Sequence, residues 1–245
     1  METKKEIIHE YMEQIKILQP ERKLKNIKAF KKKYIEAMLD AKPVQRIAFG
    51  NKKIPKSTAI TNMTSWFNCP GRTKEFCNIC EICYDKFREV MNKNVCKSRL
   101  NHEIWFRTTK DIDIAFAICG KIIKEDRKKN NNKIKLHRWN EVGELRNQKD
   151  LEKVNNISNY INEIVGIKSY IYTHNKNLDF DIDRPNLTIN GSNFMVDNEF
   201  KCIEKELYEE YVETHECYEC LGDCEKCDTI CSKKLNIVIV EKLKE

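Results

Sequence analysis

Short β-rich runs set apart by helix-length amphipathic stretches constrain this chain more than any other feature. Thr58–Phe67 alternates β-branched and polar residues and predicts a strand. Tyr84–Leu100 and Asp111–Lys129 predict helices, the second with Ile112, Ala115, Phe116, Cys119 and Ile123 as its buried stripe. Lys133–Trp139 predicts the next strand. Leu151–Val165 follows as a helix, with Leu151, Val154, Ile157, Ile161, Ile164 and Val165 at three- and four-residue steps and Gly166 as its stop. Lys168–His174, Asn186–Ile189 and Leu235–Val240 predict further strands. Strands parted by helices of about 15 residues cannot close as hairpins, so they pair in parallel through right-handed crossovers. The expected fold class is therefore α/β, a parallel sheet or partial (β/α) barrel. In such folds chemistry sits in the loops at the C-terminal strand ends.

Two features bound the rest of the chain. Its 245 residues, 40% hydrophobic and 34% charged, suffice for one domain with small appendages. No apolar run reaches membrane-span length, and Met1–Lys5 leads into charged sequence without a signal-peptide core. A soluble, cytoplasmic protein that avoids membranes is expected. Charge is uneven: residues 1–56 hold 15 Lys and Arg against 7 Asp and Glu. Residues 197–231 hold 12 acidic and 3 basic residues. The division expected is a basic helical N-terminal arm over 1–54, an α/β core over 55–200, and an acidic cysteine-rich segment with a final strand over 201–245. The basic run of residues 22–33 is either the solvated face of a helix striped by Ile7, Ile8, Tyr11, Ile15 and Leu18, or a nucleic-acid contact.

Nine of the twelve cysteines fall in two windows. Cys69, Cys77, Cys80 and Cys83 follow the first strand; Cys217, Cys220, Cys224, Cys227 and Cys231 lie near the C-terminus. Two residues between cysteines lets a tight turn aim both thiolates at one ion or cluster. Each window can complete four ligands, and His215 is a spare candidate in the second. Four thiolates suit Zn²⁺ and [4Fe–4S] clusters alike. A strand-end loop over a parallel sheet leans toward iron–sulfur in the first window, and the second window leaves both metals open. Cys96 and Cys119 read as small buried hydrophobes, and Cys202 stands alone. His137 and Arg138 on one strand, Gly143 and Glu144 just past its end, and Thr173 and His174 on the next form a candidate cofactor-binding pocket beside the first window.

The run Cys69-Pro-Gly…Cys77…Cys80…Cys83-Tyr84, then Leu136-His-Arg-Trp-Asn-Glu-Val-Gly-Glu-Leu, then Tyr170-Ile-Tyr-Thr-His resembles the bacteriophage gene product 88 family over about residues 55–240. That resemblance implies a phage or prophage origin and hence the host cell cytoplasm. A more distant similarity is to radical S-adenosylmethionine (SAM) enzymes. It implies Cys77, Cys80 and Cys83 as cluster ligands and Gly143-Glu144 as the contact to the methionine amino group. Those enzymes space their cysteines Cys-x3-Cys-x2-Cys, whereas this chain has two residues in each gap, and Cys69 is a candidate for the fourth iron. Three functions fit: a radical-SAM-like iron–sulfur enzyme on an unknown substrate; a metal-stabilised nucleic-acid-associated phage protein; and a regulator of a host protein that uses its acidic segment.

Overall fold

The structure, a computed structural model, describes residues 2–17, 27–64, 69–73, 88, 92–128 and 133–243. Eight strands form one sheet: β1 (Ala48–Phe49), β2 (Thr58–Thr61), β3 (Leu136–Trp139), β4 (Lys168–Thr173), β5 (Leu187–Ser192), β6 (Asn198–Ile203), β7 (Tyr218–Glu219) and β8 (Val238–Lys242). Their order is β1-β2-β3-β4-β5-β6-β8-β7, and every pair except β1–β2 is parallel. The fold is α/β, as the alternation requires. From β2 to β6 each strand lies beside its neighbour in sequence, the winding order of a barrel rather than of a doubly wound sheet.

Helices α1 (Lys4–Ile17), α2 (Ile27–Leu39), α3 (Pro70–Thr73), α4 (Lys93–Thr108), α5 (Asp111–Lys128), α6 (Gln148–Val165) and α7 (Lys205–Thr214) complete the described elements. The β2–β3 crossover carries α4 and α5, and β3–β4 carries α6. No helix separates β4 from β5 or β5 from β6. The β5–β6 link of residues 193–197 is short because only the strand ends pair, Asn190 with Asn198 through Ser192 with Phe200.

One face of the sheet is apolar. Ala59, Trp139, Ile171 and Ile189 meet α5 and α6 there, and the Trp139 indole N–H donates to Ser158 Oγ at 3.0 Å. On α5, Ala115 and Cys119 are buried as expected, but the rest of the stripe differs from the expected one. Ile114, Ala115, Ile118, Cys119 and Ile122 are buried, while Phe116 is 59% and Ile123 38% exposed. Both stripes satisfy helical spacing in so Ile-rich a segment, and only the sheet beneath chooses between them. On α6, Leu151, Val154, Ile157 and Ile161 are buried as expected, and Gly166 ends the helix at φ 72° with its N–H on Asn162 O.

The opposite face carries Leu136, Arg138, Tyr170, Tyr172 and Phe200, and the cysteine-rich segment covers it. Buried polar side chains of the sheet pin that segment. Asn190, Thr188 and Asn198 donate to the carbonyls of Cys231, Ser232 and Lys233 at 2.9, 2.9 and 2.8 Å. The turn before β2 reaches the last parallel strand: Lys53 Nζ bonds both Glu241 oxygens at 2.6 and 2.7 Å, and Cys224 N–H donates to Lys53 O at 3.0 Å. The sheet therefore curls until its two sides meet.

The N-terminal helices pack against α4, where Ile7, Tyr11, Tyr34 and Met38 bury with Cys96, Leu100 and Ile104. Most of the basic run 22–33 lies outside the described side chains; Lys32 is exposed. Among the described residues no helix is long and apolar enough to cross a membrane.

Candidate functional site

The loops after β2 and β3 are bonded to each other. Asn140 N–H donates to Thr61 O at 2.8 Å, Met63 N–H to Val142 O at 3.2 Å, and Val142 N–H to Asn62 Oδ1 at 3.2 Å. Gly143 makes this approach sterically feasible. Its φ is +94°, and a Cβ there would lie 2.6 Å from Met63 Cβ and 3.1 Å from Met63 backbone. Gly143→Ala is expected to cost about 2 kcal/mol in urea unfolding, from left-handed strain and the displaced β2 loop. A change within 0.5 kcal/mol or so would mean that the loop relaxes freely.

Beyond that glycine the chain aims Glu144 back into the strand ends. Its Oε1 accepts from Thr173 Oγ1 at 2.6 Å and from Leu145 N–H at 2.7 Å, and its Oε2 accepts from His174 N–H at 2.7 Å. His174 Nδ1 is 3.9 Å from Oε2, and burial lowers the His174 pKa. Glu144→Ala leaves three donors without their acceptor and is expected to destabilise the fold by about 2–3 kcal/mol, again read in urea. Glu144→Gln keeps the shape and should recover part of that loss.

Glu144 lines a cleft with Thr64, Pro70, Glu103, Asn140 and Arg146. Arg146 bonds Asp150 at 2.7 and 2.6 Å, and Thr64 N–H donates to Glu103 Oε2 at 3.2 Å. Cys69, half-buried, immediately precedes Pro70; Cys77, Cys80 and Cys83 lie outside the described residues. The Asn140 side-chain oxygen is buried without a hydrogen-bond partner among the described residues. A second cavity of about 590 Å³, which shares no lining residue with the first, has Arg46, Asn62, Lys97 and Arg99 among its lining.

The candidate pocket thus divides. Glu144, Thr173 and His174 come together at the strand ends. Arg138 lies on the face under the cysteine-rich segment, its guanidinium 4.8 Å from the Tyr172 ring centre and 5.7 Å from that of Tyr170. His137 points to the helix-covered face, fully buried between Thr61 Oγ1 at 3.4 Å and Ser169 Oγ at 3.2 Å, with its ring 4.6 Å from Trp139. Adjacent strand residues face opposite ways, which is why His137 and Arg138 cannot both serve one pocket. Glu103, Arg146 and Asp150 were not among the expected residues. Asn147 and the Arg146–Asp150 spacing, a helix cap beside an i,i+4 pair, were the signals for the last two.

In the second window Cys220, Cys224 and Cys231 lie close enough to act electrostatically on one another, and Cys227 on Cys220 and Cys224. Burial pushes the Cys224 thiol up to about 11 and the Cys231 thiol up to about 12. Burial, and after it the charge of Glu219, raise the Cys217 thiol. Among the described residues no three His, Cys, Asp or Glu side chains are close enough to ligate one ion.

No curated protein and no solved structure matches the chain. A family model described as gene product 88 matches residues 22–212, which takes in β1 to β6, the first cysteine window and the Glu144 cleft, and ends before Cys217. The match carries no activity, metal or cofactor with it. By that match the chain belongs to the bacteriophage gene product 88 family.

Proposed function

We propose that the protein is an iron–sulfur protein of the radical-SAM-like type, its cluster held by the cysteines of residues 69–83. The observation that carries this reading is the anchored Glu144 carboxylate sharing a cleft with Pro70, next to Cys69, at the ends of adjacent parallel strands. One polar group in the cleft is unmet: Asn140 Oδ1 is a buried acceptor without a partner among the described residues, in a space of about 10 Å³, and a small donor such as an ammonium group would satisfy it. Cys77, Cys80 and Cys83 would hold the cluster, with Cys69 the fourth ligand where no small molecule takes that place. When bound, a [4Fe–4S] cluster with SAM supplies a one-electron reductive cleavage.

What the chain itself contributes is orientation. Thr173 and the His174 and Leu145 amides fix both oxygens of Glu144, so the carboxylate is held in one orientation at the strand ends. Arg146, bonded to both Asp150 and Glu2, keeps a guanidinium at the edge of the same cleft. The separate cavity at Asn62, with Arg46, Lys97 and Arg99 among its lining, suits an anionic group.

Anaerobically purified protein should contain iron and acid-labile sulfide, and SAM should alter the EPR spectrum of the reduced cluster. With dithionite and SAM, 5′-deoxyadenosine should form. Cys69→Ser should leave the cluster in place. Stoichiometric zinc with neither iron nor sulfide would reject the cluster, and loss of the cluster in Cys69→Ser would close the fourth site and end the enzyme reading.

A further inference from the structure

We infer that the cavity between α4 and the β1–β2 edge of the sheet binds a small phosphorylated molecule, Arg46, Lys97 and Arg99 taking the phosphate and Ile47, Ile60 and Val95 the organic part. Among its described lining residues there is no Asp, Glu or Cys. It shares no lining residue with the Glu144 cleft, so the site goes beyond the cluster reading and stands without it.

The sequence of α4 carries two stripes. Cys96, Leu100 and Ile104 bury against α1 and α2. Asn94, Lys97, Ser98 and Asn101, spaced i, i+3, i+4 and i+7, line the cavity instead. A helix face turned toward a sheet is ordinarily apolar and packs the space shut. This one is polar throughout and borders about 590 Å³, inside the range of about 300–1,000 Å³ for organic-ligand pockets.

Buried side chains of the same helix hold the opposite wall. Lys42 N–H donates to Asn101 Oδ1 at 2.9 Å, Val44 N–H to Asn101 O at 3.3 Å, and Arg46 N–H to His102 Nδ1 at 3.0 Å. Residues 42–46 are thereby laid along α4, which delivers the exposed Arg46 to the cavity. Ala48 then pairs with Ile60 across β1 and β2, and this pair carries the aliphatic wall.

The charges select phosphate. Lys97 is paired with Asp40, whose side chain is 63% exposed, and a pair so open to water is worth about 1 kcal/mol or less. Lys97 can therefore exchange Asp40 for a ligand. Arg99 is only 9% exposed, and a charge-assisted bond made away from water is stronger. Three cations and the Ser98 hydroxyl exceed what one carboxylate can engage, but they match a dianion with three terminal oxygens.

The test is isothermal titration calorimetry on the full-length chain prepared anaerobically, with phenyl phosphate, inorganic phosphate and benzoate as probes. Phenyl phosphate should bind with Kd below about 1 mM and about tenfold more tightly than inorganic phosphate, since its ring buries on the aliphatic wall. Benzoate should bind more weakly than phenyl phosphate. Arg46→Ala/Lys97→Ala should weaken phenyl phosphate by about tenfold or more, whereas Lys121→Ala/Lys124→Ala, an equal loss of charge from exposed positions on α5, should not. If the first double variant does not fold, Arg46→Ala alone, a change at an exposed side chain, should weaken it by about threefold or more. No binding of phenyl phosphate by about 10 mM, benzoate or inorganic phosphate binding as tightly, or unchanged affinity in the Arg46 variants would each overturn the site. Iron and sulfide measured on the same samples keep the two readings apart: a chain that holds a cluster and binds no phenyl phosphate rejects this site alone, and one that binds phenyl phosphate without iron rejects the cluster alone.

Discussion

Arg107→Ala is expected to lower the unfolding free energy by about 3–5 kcal/mol. The Arg107 side chain is 1% exposed and meets three carboxylates: Glu2, with Nε to Oε2 at 2.8 Å, Glu10, and Glu103, with Nη1 to Oε1 at 3.6 Å. It also lies 6.0 Å from the Tyr11 ring centre. Glu103 is the vulnerable partner, since its side chain is 5% exposed and its other oxygen is engaged by Thr64 at the cleft. Removing the guanidinium leaves that carboxylate buried and short of one countercharge, Arg146 still acting on it, which costs more than the lost attraction. Urea unfolding near neutral pH measures the effect. Arg107→Met combined with Glu103→Gln should be less damaging than Arg107→Ala, because it leaves no buried charge. A loss below about 1 kcal/mol in Arg107→Ala would mean that Glu103 reaches water. The same group links α1 to the cleft, so the variant should also free the N-terminal helices for proteolysis.

Acidification should have an effect of similar size. Burial holds His102 and His137 down to about 3, with the charge of His102 adding to the effect at His137. Geometry agrees for His102: its Nδ1 accepts the Arg46 N–H at 3.0 Å, so a proton there would break that bond. In the unfolded chain both imidazoles protonate near 6.5. The unfolded state therefore takes up protons first, and stability present above about pH 6.5 falls as the pH drops toward about 3. Each histidine contributes up to about 1.4 kcal/mol per pH unit within that window. Glu2 extends the loss lower. Burial raises its carboxyl, but the bond from Arg107 and the charges of Arg146 and Arg107 outweigh that and bring it from 4.5 to about 2. Urea midpoints at about pH 7 and about pH 5 test the window; equal stability at the two would refute it.

Periodicity made the sheet legible. β2, β3, β4, β5 and β8 were all expected, in parallel, because helix-length spacers leave no other pairing. β6 was missed: Asn198–Ile203 carries charge at alternate positions inside a strongly acidic stretch, and its pairing comes from the sheet on either side. Sequence also marked Glu144, Thr173 and His174 through their position after strands. It could not tell that His137 and Arg138 would serve opposite faces, since the face of a strand is chosen by what packs on it. Cys96 and Cys119 were read correctly as buried, at 2% and 1% exposure, because each sits in an apolar helical stripe. Glu103 stayed hidden because α4 runs to Thr108, past the point where its periodicity fades.

The Lys53–Glu241 contact has a consequence for synthesis. Because β2 to β6 pair in the order they leave the ribosome, the sheet can grow one strand at a time from its N-terminal side. Lys53 must wait for a partner 188 residues later in the chain. Until then the nascent sheet remains an open trough whose inner face shows Tyr170, Tyr172 and Phe200 to solvent. A chain arrested before β8 should therefore be the species that chaperones hold and proteases clear, and emergence of β8 should end that exposure in a single step.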